Sequence, residues 1–321
     1  MGVDPAVLQD AVRQFVDHVA SAGGDALGRA GAKLLAERAI RFVGAKLGWE
    51  SPETTTIAIG RLERLYEELY KRLSELEASG VITEESVRTA YEDPQGAAAM
   101  SAACETAIET DDPDTIGALA QLLAERAKAP ASSRLALRVR EAAEASRNLQ
   151  PRQLVVIAQA VLANIIPAPA RIFPGDAQLP LDVRIAALDA WIERGLQCVA
   201  GVTARFDDVL QLEAARLLLL SARAADYEGR LPSSAPTVGN RLHQLGGSGY
   251  DMTSAMELLG DIEQGTIRGM RAFERVALGA YNITDAGLLL GCSVLQQRGL
   301  NEVGVEFDAW SQDLGRLETE S

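Results

Sequence analysis

The sequence predicts a mainly α fold, a multi-helix bundle, and three observations lead there. Apolar residues recur at spacings of three and four, Asp-Pro and Ser-Pro pairs punctuate the chain where helices would start, and strand-like alternation is absent from the first half. Of 321 residues, 47% are hydrophobic and only 5% aromatic, so the core must be built from Leu, Val, Ile and Ala. That length is enough for two domains or one large helical array.

Asp4-Pro5 opens a first helix with the apolar line Leu8, Val12, Phe15 and Val19. A second helix is expected from about Asp25 to Leu47. Residues 24–48 hold five bases against two acids, a net of +3 in a chain whose net is −14. Glycines at 24, 28, 31, 44 and 48 let a neighbouring helix approach closely, and a basic amphipathic helix can also lie on an anionic bilayer. Arg29, Lys33, Arg38, Arg41, Phe42 and Lys46 are therefore the candidate membrane contact. The alternative is an internal helix whose charges face the acidic remainder of the protein.

Ser51-Pro52-Glu53 opens a long helix to about Ala78. Ile59, Leu62, Tyr66, Leu69, Leu73 and Leu76 form an a/d seam about two and a half heptads long, flanked by charged residues. The seam suits packing within the chain, or a contact between copies. Gly80 ends this helix and Thr83-Glu84-Glu85 starts a short one. Helices are then expected at about 94–109, 113–129, 132–147 and 151–166. Pro167, Pro169, Pro174 and Pro180, with Gly175, mark a linker. The expected organisation is thus a helical domain over 1–166, a Pro-rich linker over 167–180 and a second domain over 181–321.

In the second domain, helices are expected at about 181–200 and 203–225, the latter carrying the run Leu217 to Leu220. After a Pro- and Ser-rich loop, Met252 to Gly260 reads as a helix and Met270 to Ala277 alternates. Thr284 then caps a last helix through Gln297. A helix turned by Gly260 into a short β-hairpin, followed by another helix, resembles the second half of a winged-helix unit.

Composition and motifs exclude several chemistries. The acidic balance, 31 Lys and Arg against 45 Asp and Glu, disfavours wrapping nucleic acid. The helix at 252–259 also lacks the Arg, Asn or Gln that read bases. Arg268, Arg271 and Arg275 on the expected hairpin are the only basic cluster there, and so the candidate nucleic-acid contact. Cys104, Cys198 and Cys292 are an odd, unclustered set, read as small hydrophobes of a reducing compartment. His18 and His243 have no ligand or triad partner at suitable spacing. Glu105, Glu109, Asp111, Asp112 and Asp114 lack calcium-loop spacing, and Asp112 and Asp114 suit a helix start. Gly246-Gly247-Ser248-Gly249 lacks the Lys of a phosphate loop. No metal, cofactor or catalytic residue is expected. The N-terminus has neither the basic nor the apolar region of a signal peptide, and no run of 18 apolar residues occurs. A cytoplasmic protein, peripheral at the inner membrane if segment 24–48 acts there, is the expectation.

The stretch Asp112-Pro-Asp-Thr-Ile-Gly-Ala-Leu-Ala-Gln-Leu-Leu-Ala-Glu-Arg126 is followed by Ala142-Ala-Glu-Ala-Ser-Arg-Asn-Leu-Gln-Pro-Arg-Gln-Leu-Val-Val-Ile157, and far downstream by Tyr281-Asn-Ile-Thr-Asp-Ala-Gly287. This arrangement resembles the Abi-alpha-type bacterial proteins linked to phage resistance. It departs in Ile283, where they carry Leu, and in the Pro-rich 167–180. The resemblance offers no catalytic residues. It implies a non-enzymatic role in phage defence through a protein partner or self-association, with the 59–76 seam as the contact. A membrane-active effector using 24–48 and a winged-helix DNA-binding regulator are the alternatives.

Overall fold

The computed structural model describes residues 52–130, 133–165, 180–220, 281–301 and 303. The chain divides into two compact units, Met1–Pro151 and Arg152–Ser321.

In the first unit, α1 runs Pro52–Ala78, α2 Glu84–Glu92, α3 Pro94–Glu109, α4 Pro113–Lys128 and α5 Arg134–Ser146. Each boundary has a local cause. Gly80, at φ 74°, ends α1 while Val81 N–H bonds Leu76 C=O at 2.9 Å, closing the last turn as a left-handed cap does. Thr83 and Ser86 cap α2 reciprocally, each side-chain oxygen accepting the other's backbone N–H. Asp93, Asp112 and Ser133 cap α3, α4 and α5, and Pro94 and Pro113 follow the first two where a missing N–H is harmless.

Helix α4 lies at the centre: Ile116, Leu119, Leu122 and Leu123 are buried, and so are Ala118, Ala120, Ala124 and Ala127 on its other sides. Helix α1 packs on α3 and α4, α2 on α3 and α4, and α5 on α3 and α4. Small residues with no exposed surface line both α3 (Ala99, Ala102, Ala103 and Ala107) and α5 (Ala136, Val139, Ala142 and Ala143), and the two helices pack on each other. At Gly96 a Cβ would collide with the Ala90 carbonyl, so only glycine lets α3 start this close to the end of α2.

The second unit contains α6 (Pro151–Ile165, from its second residue onward), α7 (Leu181–Cys198), α8 (Phe206–Ala214), β1 (Leu218–Leu220), β2 (Tyr281–Ile283) and α9 (Asp285–Gln297). Helix α6 groups with the second unit from Arg152 onward: residues 153–162 are all buried, and Gly291 of α9 sits so close that a Cβ would run into Val161. One expectation is corrected here. The expected helix at 203–225 ends at Ala214. Arg216 turns the chain at φ 59°, and Leu218–Leu220 form a strand instead. Leu217 and Leu218 are fully buried while Leu219 is 52% exposed, the alternation of a strand with one face covered.

The two strands pair antiparallel, Leu218 with Ile283, Leu219 with Asn282 and Leu220 with Tyr281. Thr284 caps α9 as its sequence position predicts, accepting from Gly287 N–H at 3.1 Å, while its hydroxyl also reaches the Arg216 and Leu217 carbonyls. Gly287 is required: a Cβ there would strike the Leu217 carbonyl. The expected helix at 252–260 and hairpin at 270–277 lie outside the described residues, and so does the whole segment 1–51.

Candidate functional site

The seam predicted on α1 is buried. Leu62, Tyr66, Leu69 and Leu73 are at most 3% exposed, with Ile59 and Leu76 half-buried. Ala58, Leu65 and Tyr70, which the seam omits, are buried too. The apolar stripe is therefore wider than an a/d line, as on a helix covered by two neighbours rather than by one coiled-coil partner. Of the two roles the sequence allows this seam, packing within the chain is the one seen here: α3 and α4 of the same chain pack on α1. Inside, the Tyr66 hydroxyl sits 3.6 Å from both Met100 Sδ and Cys104 Sγ. Burial pushes the Cys104 thiol up to about 12, so it stays protonated and unreactive at neutral pH.

The charged residues within the helices serve as joints. Arg126, with no exposed surface, donates to Asp93 Oδ2 at 2.9 Å and to the Ala129 carbonyl at 2.9 Å, tying the C-terminal end of α4 to the residue that caps α3. Glu125 accepts from Gln121 and from Lys128, both at 2.9 Å, and Arg72 of α1 donates to Gln121. Arg61 Nη1 reaches the Ile108 carbonyl at 2.7 Å, satisfying a group at the end of α3. Burial lowers the Arg72 pKa, against the pull of nearby Glu68, Glu75 and Glu125. Sequence reasoning missed Arg126 and Glu125 as joints. The signal was an Arg and a Glu embedded in the apolar run Leu122-Leu123-Ala124 to Ala127.

The acidic cluster resolves into structural parts. Asp112 caps α4 through the Thr115 N–H at 2.9 Å, and Glu105 pairs with Arg147 at 2.8 Å. Among the described residues no group of three or more His, Cys, Asp or Glu is placed to hold a metal.

The second unit has its own joints. Asp208 accepts from Arg152 Nε and from its capping neighbour Arg205 N–H, both at 2.9 Å, linking α8 to the start of α6. Gln159 of α6 donates to the Val202 carbonyl at 2.6 Å. Cys198 Sγ donates to the Arg298 carbonyl and the Arg298 guanidinium returns a bond to the Cys198 carbonyl at 2.8 Å, so the ends of α7 and α9 hold each other. Cys292 is buried in α9. On the surface of α8, Phe206 and Leu210 are 63% and 45% exposed, one turn apart.

Other predicted residues lie outside the described structure: Arg29, Lys33, Arg38, Arg41, Phe42 and Lys46, Arg268, Arg271 and Arg275, both histidines and the 246–249 glycine turn. No helix among the described residues is long and apolar enough to cross a membrane.

A family model matches residues 50–172, the stretch that spans α1 to α6, and that family is uncharacterised. The match covers less than half of the chain. No curated protein and no solved structure matches it.

Proposed function

We propose that this chain is a non-enzymatic protein of bacterial phage defence, of the abortive-infection type, that acts through contacts with a protein partner or with a second copy of itself. The observation that supports this reading is the use made of buried polar side chains. Arg126, Glu125, Asp208 and Gln159 tie helices or turns of helix together, and Thr106, Ser146 and Ser293 bond backbone carbonyls three or four residues back. Catalysis asks for buried titratable groups poised toward a reactant. Among the described residues the groups named above hold helices together, which suits a contact module. The stretches that carry the resemblance are parts of elements: 112–126 is the cap and most of α4, 142–157 the end of α5 and the first half of α6, and 281–287 is β2 and the capped start of α9.

The test is protection. A phage-sensitive host expressing the chain should give at least about tenfold fewer plaques than the same host with an empty vector, for one or more phages of a diverse panel. Protection should vanish with Leu69→Arg. Equal plaque counts across the panel would overturn the reading.

Within this proposal the second unit is winged-helix-like. Its support is the pairing of β1, which follows a helix, with β2, which precedes one, across the sixty residues between them. A further strand from 270–277 along the outer edge of β2 would complete the sheet, and cross-strand NOEs between the two segments are the check. The same pairing favours a second reading, a winged-helix DNA-binding regulator that uses Arg268, Arg271 and Arg275. A gel shift that weakens steeply with salt is its signature, and no shift even at low salt would remove it.

A further inference from the structure

We draw no further inference here: the strongest candidate, the exposed apolar face of α8 carrying Phe206 and Leu210 in the second unit, carries nothing because nothing in the structure shows what covers it.

Discussion

The first unit and the second are both helical, yet they are assembled by different rules. Helices α1 to α5 follow one another through short connections, and each packs on helices nearby in sequence. In the second unit the decisive contacts are remote: β1 meets β2 across sixty residues, and Cys198 and Arg298, one hundred residues apart, exchange hydrogen bonds. The lesson concerns information. A fold closed by neighbours in sequence can be read from caps and periodicity, whereas one closed by distant pairings cannot.

The largest expected effect tests whether the first unit is closed upon itself. Leu69→Arg places a charge where no surface is exposed. A Leu→Ala change at such a site already costs about 2–5 kcal/mol, and a buried unpaired charge costs more, comparable to a whole domain's stability. Circular dichroism should show loss of cooperative melting. If the variant instead stays folded and only its light-scattering mass falls, α1 packs between copies and the comparison fails.

Next comes the contrast between two ion pairs. Asp93→Ala strands Arg126, which has no exposed surface, and should cost about 3–5 kcal/mol in urea unfolding. Asp208→Ala leaves Arg152, whose side chain is 31% exposed, free to find water, so a loss of about 1–2 kcal/mol is expected, mostly the lost cap. Equal losses would mean that burial does not separate the two joints.

Close approach gives a third contrast. Gly291→Ala should cost about 1–3 kcal/mol, because the added methyl runs into Val161. Gly60→Ala in α1, with nothing within 4 Å of the new methyl, should stabilise by about 0.5–1 kcal/mol.

Alkaline pH should act on the first unit. Burial raises Cys104 from 9.0 to about 12 and, with help from Glu77, Tyr70 from 10.0 to about 12. The unfolded chain releases these protons first, so their contribution is intact below about pH 9 and is lost progressively as pH rises toward 12. The slope is on the order of 1 kcal/mol per pH unit per group. The unfolding free energy from urea titrations should fall over that range, and fall less in Cys104→Ala. A comparably small effect is expected for Thr284→Ala, at about 1 kcal/mol of thermal stability in the second unit, where the hydroxyl both caps α9 and bonds the Arg216 carbonyl just before β1.

Much of this protein was legible before any coordinates. Asp93-Pro94, Asp112-Pro113 and Gln150-Pro151 place helix starts at the observed residues, and Gly80 and Thr284 mark an end and a start for stated stereochemical reasons. The Leu217–Leu220 run was misread because four consecutive leucines fit a buried helix and a buried strand equally well; only Ile283 and Tyr281, opposite them, decide between the two. The contact role of the candidate site was less legible still. Leu62, Tyr66, Leu69 and Leu73 announce that something covers them, but a periodicity carries no label for which chain supplies the cover.

Local chemistry, then, is what the sequence determined by itself: the helical class, the caps, the glycines and prolines that bound each element, and an interior of aliphatic side chains. Those features depend on torsions and hydrogen bonds within a few residues. Tertiary structure alone decided that α1 is sealed inside its own unit, that α6 joins the second unit, and that Arg126 and Asp208 are joints. Each of these depends on which distant surfaces meet, and that is settled by the packing of the whole chain rather than by any window of it.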